Sequence, residues 1–200
     1  MILVACGLLR EARLIARPGI EVVAGGGDDE RLERELDTAA GRASAIASIG
    51  LAGGLLAGLR PGDWIVDCAD TAWRGRLLAA LPTARSGPIV GSMHAVATAA
   101  GKRELHVASG ACAVDMETHV AARVAARHGL AFASVRVVSD AADDDLPPAA
   151  LVGMRPDGGI DLGAVLRSLA RHPAQLPALL RTGRNAEKAF RALKKFALPA

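Results

Sequence analysis

The sequence predicts an α/β fold, and three observations carry that expectation. Short apolar runs rich in Val, Ile and Ala recur along the chain, and between them lie stretches whose apolar residues repeat at helical spacing. Glycine-rich or acidic segments follow several of the runs, where open α/β sheets collect ligands beyond the carboxyl ends of their strands.

Taken in order, Met1 to Cys6 is a first strand ending at Gly7, and LLREARLIA turns into a helix. Ile20 to Ala24 is a second strand, GGGDD a hairpin or connection, and Glu30 to Ala39 a charged helix. Ala43 to Ile49 is a third strand that runs into a glycine-rich turn, Gly50 to Leu55. Glycine there lets backbone N–H groups approach an anion closely, because no side chain intervenes. Arg60 to Asp63 is a turn, Trp64 to Cys68 a strand, Thr71 to Leu81 a helix closed by Pro82, and Pro88 to Gly91 another strand. Trp73 reads as an anchor on its helix rather than a ligand contact.

Residues 114 to 140, VDMETHVAARVAARHGLAFASVRVVSD, organise the rest. Val120, Val124 and the alanines from Ala121 to Ala126 recur at helical spacing, and Gly129 stops the helix with a residue suited to a left-handed cap. The helix is expected to begin with Asp115, Met116 and Glu117, where its dipole favours carboxylates. Phe132, Val135, Val137 and Val138 form a strand ending at Ser139 and Asp140. The loop AADDDLPP follows as a solvated surface segment able to fold over a pocket. Asp143, Asp144 and Asp145 lack the alternation and turn glycine of a calcium loop. Residues 156 to 163, PDGGIDLG, are expected to form a further turn.

Composition bounds the function. Two hundred residues suit one globular domain spanning 1–200, and with two Trp, three Phe and no Tyr its core must be built from Ala, Leu and Val. That poverty in aromatics argues against single-stranded nucleic acid as a partner. Cys6, Cys68 and Cys112 are odd in number and embedded in apolar stretches, so they read as reduced core thiols in a cytoplasmic setting. The five histidines show no metal-binding spacing, the N-terminus no cleavable signal, and no run is long enough to span a bilayer. Residues 161–200 hold eight Lys or Arg against two acids, residues 1–160 sixteen against nineteen, so the net charge of +3 comes from the tail.

The pair DME and SD, with Glu117 and Asp140 separated by a helix, a glycine and a strand, resembles the purine nucleoside phosphorylase and methylthioadenosine nucleosidase superfamily. SIGLAGGLLAGLRPGDWIV resembles its glycine-rich turn followed by a GD-strand. The resemblance implies a single-domain, three-layer α/β/α fold with a central mixed, twisted sheet. It gives Met116 and Glu117 to the ribose, and Ser139 and Asp140 to the base, with Asp140 protonating N7 of the purine. Gly50, Gly53 and Gly54 become a cradle for phosphate or water. Arg10 is positioned to hold phosphate as in the phosphorylases, and Glu11 stands close to the water-orienting Glu of the nucleosidases. Leu51 replaces a Ser found in many relatives. Met93, His94 and Ala97 fall where relatives contact the base. No cofactor beyond inorganic phosphate as co-substrate is implied, and a homo-oligomer is expected.

Such residues suit the chemistry. Breaking a ribosidic bond develops positive charge on the sugar and negative charge on the leaving base, so an acid at the base lowers the barrier, typically by a factor of ~100 to 10,000. Asp140 can donate near neutral pH if burial beside apolar residues raises its pKa or if it shares a proton with the purine.

The chain also resembles, more narrowly and over most of its length, the hopanoid-associated branch of the superfamily, through the glycine segment, the 114–151 region and the tail PAQLPALLRTGRNAEKAFRALKKF. That resemblance implies phosphorolytic release of adenine from adenosylhopane in hopanoid biosynthesis. Methylthioadenosine or adenosylhomocysteine nucleosidase, or a non-catalytic nucleoside-binding protein, are the alternatives. Within residues 173–198, Leu176, Leu179, Leu180, Phe190, Leu193 and Ala197 fall near one helical face, with Arg181, Arg184, Lys188, Arg191 and Lys195 on the others. This is usually the pattern of a helix over the core, and it is also that of one lying on an anionic membrane, where each basic residue contributes ~1 kcal/mol.

Overall fold

The computed structural model describes residues 1–153, 155 and 158–199. Among them, strands and helices alternate along most of the chain. In order they are β1 (Ile2–Cys6), α1 (Leu9–Ile15), β2 (Ile20–Ala24), α2 (Asp29–Ala40), β3 (Ala45–Gly54), β4 (Trp64–Cys68) and α3 (Thr71–Ala80). Then come β5 (Arg85–Ser86), β6 (Ile89–Gly91), α4 (Ala99–Ser109), β7 (Ala113–Asp115), α5 (Thr118–Arg127), β8 (Ala131–Asp140), α6 (Pro148–Leu151), α7 (Leu162–Arg171) and α8 (Leu176–Lys195).

The strands form one mixed sheet in the order β2-β1-β3-β8-β4-β5, with β7 joining β3 and β6 joining β7. β1, β2, β3 and β8 are parallel, so GGGDD is a connection and not a hairpin. β4 runs antiparallel to β8, and β7 antiparallel to β3. Alternation along β1 sends Leu3 and Ala5 to one face and Val4 and Cys6 to the other. On the first face, Leu32 and Leu36 of α2 and Val120 and Val124 of α5 close the core. On the second, Ile15 of α1, Trp73 and Leu77 of α3, and Phe190 and Leu193 of α8 do the same. The result is a three-layer α/β/α arrangement in which small side chains permit close helix–sheet packing. Trp73 is 4% exposed and serves as the expected anchor, and all three cysteines are buried and free.

Two expectations are revised, and one element is added. The segment Gly50 to Gly54 is not a turn but the second half of β3, paired with β8 on one side and, at its end, with β7 on the other. α5 begins at Thr118, because Asp115 ends β7 and uses its carboxylate to accept the N–H groups of Glu117 and Thr118 at 3.0 and 2.8 Å. Residues 99–109, assigned no element from the sequence, form α4, capped by the Thr98 hydroxyl accepting from Gly101 N. Of the segment 156–163, Pro156 and Asp157 lie outside the described residues. Gly158 has φ +78°, and Asp161 caps α7 by accepting from Ala164 N.

The tail divides. The second half of α8 is core, with Ala189, Phe190 and Leu193 buried and Phe196 beyond it packed 5.1 Å from the Trp64 ring. Its first half and α7 are not: Leu162 and Leu166 are more than three-fifths exposed, and Leu176 and Leu180 about half. Among the described residues no helix is long and apolar enough to cross a membrane.

Candidate active site

At the carboxyl ends of β1, β3 and β8 lies a cavity of about 240 Å³. Its walls include Gly7, Leu8 and Glu11 from the β1–α1 turn, Leu51 and Gly53 from β3, and Val114, Asp115, Met116 and Glu117 from the segment entering α5. Ser139 and Asp140 from β8 close one end, with His94 to Val96 and Leu146 above.

One wall of the cavity is a buried charge cluster built around Arg136, whose side chain is wholly buried on β8 opposite Gly50. Its Nε lies 2.6 Å from Asp115 Oδ2 and its Nη1 3.3 Å from Glu117 Oε2. The guanidinium also donates to Ser48 Oγ and, at 3.3 Å, to the Leu51 carbonyl. Thr118 Oγ1 donates to Asp115 and lies 2.8 Å from Ser134 Oγ. Glu11 meets the cluster from α1. Its Oε2 accepts from Gly7 N and Leu8 N at 2.8 Å each, in the manner of a helix-capping Glu, and its Oε1 accepts from Leu51 N at 2.7 Å.

Two glycines make the assembly possible. A Cβ on Gly50 would stand 2.7 Å from Glu11 Oε1 and 2.8 Å from Arg136 Nη1, and one on Gly7 would stand 2.8 Å from Glu117 Oε1.

Three carboxylates around one guanidinium leave an excess of negative charge in a dry place. Burial pushes Glu117 up to about 8, against the pull of Arg136 and with help from Asp115 and Glu11. Burial likewise raises Glu11, opposed by Arg136 and by the three backbone N–H groups. Burial works against the charge of Arg136, but Asp115, Glu117 and Glu11 outweigh it and hold the guanidinium charged.

The opposite end is organised by a bulge. β3 and β8 pair residue by residue up to Ala52 and Val138, then the register shifts so that Gly53 faces Asp140 and Ser139 is the extra residue. Ser139 Oγ lies 2.6 Å from Asp140 Oδ1 as donor, and 3.2 Å from the Ala52 carbonyl. Asp140 Oδ2 lies 2.6 Å from Nζ of Lys102, a residue on α4 that is wholly buried. Asp140 is therefore half of an ion pair, not a carboxyl among apolar side chains only.

Of the residues expected from the sequence, the structure gathers Glu11, Gly53, Met116, Glu117, Ser139 and Asp140 around the cavity, together with His94. Gly50 lies just behind it, where it admits Glu11 and Arg136, and Gly54 packs against the Asp140 carbonyl and Leu59. Arg10 is a correction. It lies on the outer side of α1, pairs with Glu187 at 2.7 Å and covers the Phe190 ring at 3.9 Å, outside the cavity wall. Successive residues of a helix point about 100° apart, so only one of Arg10 and Glu11 can face the sheet. Met93 is 68% exposed and lines a neighbouring groove, and the Ala97 carbonyl accepts from Leu146 N. Sequence reasoning missed Arg136 and Lys102. A lone Arg inside the apolar run ASVRVVSD was the available signal for the first, since a charge within a central strand needs partners.

Residues 67–171 match the family described as the phosphorylase superfamily, and the chain belongs to it. It is accordingly an enzyme of the nucleoside phosphorylase or nucleosidase kind, one that cleaves a nucleoside N-ribosidic bond. Among solved structures, futalosine hydrolase of Helicobacter pylori strain 26695 is similar at 15% identity and a TM-score of 0.62, covering 97% of this chain and 95% of that one. The 5'-methylthioadenosine/S-adenosylhomocysteine nucleosidase of Neisseria meningitidis, in complex with methylthio-immucillin-A, is similar at 15% identity and a TM-score of 0.63, covering 97% and 96%. The corresponding nucleosidase of S. pneumoniae, with the transition-state inhibitor MT-ImmA, gives 15%, 0.60, 96% and 98%. These likenesses establish the fold. No curated protein sequence matches.

Proposed function

We propose that the protein hydrolyses the N-ribosidic bond of a purine nucleoside, with Glu11 activating the water. The observation that carries this reading is the occupation of the Gly7, Leu8 and Leu51 N–H groups by the Glu11 carboxylate. The Leu51 N–H, within the segment expected to cradle an anion, is thereby taken, as are the two N–H groups that face it from the start of α1. A phosphate there would also approach the Asp115 carboxylate, and two like charges ~4 Å apart repel by ~4 kcal/mol at an effective dielectric of ~20, roughly a thousandfold in affinity. Arg136 offers little compensation, because its guanidinium is already ion-paired with Asp115 and Glu117 and donates to Ser48 Oγ and the Leu51 carbonyl. Burial, by contrast, makes the Glu11 carboxylate a stronger base than a solvated one, which suits it to take a proton from water.

In this reading the base lies against Ser139 and Asp140 and the ribose against Met116 and Glu117. As the C–N bond breaks, water attacks the anomeric carbon and yields one proton to Glu11. The departing purine takes at N7 a proton that Asp140 gains on nucleoside binding, and Asp140 returns to the carboxylate that pairs with Lys102.

The group on the ribose 5′ carbon is apolar in this proposal, and adenosylhopane is the substrate the sequence resemblance implies. A groove of about 560 Å³ shares His94 and Met116 with the cavity and is lined in part by Met93 and Leu151. Beyond Leu151 stand the exposed Val152, Ile160, Leu162 and Leu166. Leu176 and Leu180 are also about half exposed, and Arg167, Arg171 and Arg184 lie in the same stretch of chain, a composition suited to an anionic bilayer carrying such a lipid.

The test is adenine release from adenosylhopane and from methylthioadenosine, each with and without phosphate. Release independent of phosphate is expected, and release that requires phosphate would restore the phosphorolytic reaction implied by the sequence. Flotation with phosphatidylglycerol vesicles should be lost in a Leu162→Glu, Leu166→Glu variant, and unchanged flotation would remove the membrane contact.

A further inference from the structure

Among the described residues, Lys102 is a charged residue at the base end that does not line the cavity yet touches one that does. It projects from α4 with no exposure to solvent, and its ammonium has three acceptors: Asp140 Oδ2 at 2.6 Å, the Ala141 carbonyl at 2.8 Å and the Asp144 carbonyl at 2.9 Å. The three donors of a lysine are thereby all used. Asp140 is as fully engaged, since its other oxygen accepts from Ser139 Oγ at 2.6 Å. The carboxyl plane is held from both sides, at the point where the bulge turns β8 into the cavity.

We propose that Lys102 is a positioning residue for departure of the base. It fixes the carboxyl of Asp140 in the orientation that meets the leaving purine, and it places a compensating charge beside the negative charge that grows there. The role rests on the assignment of Asp140 to the base under the proposed function. A lysine serving only to tie the Asp140–Asp144 loop to α4 would be a costly choice. The same loop is already held by Asp145 Oδ1 accepting from Ala99 N, Leu146 N donating to the Ala97 carbonyl, and Asp144 Oδ2 accepting from Ala141 N. Burying an ammonium for that purpose carries a desolvation penalty that backbone hydrogen bonds avoid.

The distinguishing measurement compares two leaving groups. Methylthioadenosine needs its base protonated, whereas p-nitrophenyl β-D-ribofuranoside releases a stable anion without help. Lys102→Met is expected to lower kcat for methylthioadenosine by ~100-fold, the scale of a general-acid contribution, with KM changed far less and the nitrophenyl substrate nearly unaffected. Lys102→Arg, which keeps the charge, should recover part of the loss. Because Lys102→Met strands a buried carboxylate, the double variant Lys102→Met, Asp140→Asn carries the test if the single one fails to fold. It should match Asp140→Asn alone, since a residue acting through Asp140 has nothing left to act on. Equal losses on both substrates, or a double variant worse than Asp140→Asn by the full Lys102 factor, would overturn the role while leaving the proposed reaction standing. Wild-type protein that releases base from neither methylthioadenosine nor adenosylhopane would instead overturn the proposed reaction, and this role with it.

Discussion

Glu11 accepts the backbone N–H of Leu51 at 2.7 Å, tying the first turn of α1 to the middle of β3. A capping Glu satisfies its own helix, but this one reaches a strand forty positions away with its second oxygen. Glu11→Gln keeps the size and removes the proton acceptor, and an amide nitrogen facing Gly7 N or Leu8 N cannot accept from either. Turnover should fall by ~100 to 10,000-fold, with nucleoside binding retained more than kcat. Steady-state kinetics with calorimetric binding of a substrate analogue checks this, and a variant of near-normal kcat would contradict a base role for Glu11.

Gly50→Ala tests the close approach directly. Its new methyl would meet Glu11 Oε1 at 2.7 Å and Arg136 Nη1 at 2.8 Å. Neither group can retreat without losing buried partners, so overpacking should cost about 1–3 kcal/mol in thermal unfolding and abolish most activity. Gly41→Ala, where a Cβ meets nothing within 4 Å, is the control and should behave as wild type.

Asp140→Asn keeps a hydrogen-bond acceptor for Lys102 but leaves the ammonium without a counter-charge. The variant should fold with a lowered melting temperature and lose most turnover on purine nucleosides. Near-normal turnover would remove Asp140 from the chemistry at the base.

Glu117 makes stability fall with rising pH. Its folded pKa, about 8, stands above the unfolded carboxyl value, so between pH ~4.5 and ~8 the folded state binds more protons than the unfolded one. The contribution is full below the unfolded pKa and is lost as pH rises through about 8. Glu117→Gln should flatten that slope in a series of thermal melts, and should also weaken the distinction between ribose and 2′-deoxyribose substrates.

The sequence alone located most of the sheet strands, the helices α2, α3 and α5, and the two acidic motifs that end up at the cavity. Strand and helix periods, the Gly129 stop and the DME and SD pairs are local signals, and local signals survive in one dimension. It also singled out Glu11, Met116, Glu117, Ser139 and Asp140, which the fold gathers around one cavity.

What it left undecided depends on contacts between distant segments. Whether Arg10 or Glu11 faces inward is set by how α1 seats against β3 and α8, through Leu51 on one side and Glu187 on the other. Gly50 reads as a turn in isolation, and it becomes strand because β8 pairs along its whole length and two side chains need the space its missing Cβ leaves. Arg136 and Lys102 are ordinary basic residues in the string of letters. Only the folded chain surrounds the first with three carboxylates and brings the second against Asp140. Burial raises the stake of every charge it encloses, so the partners that answer it come from wherever in the chain the fold supplies them.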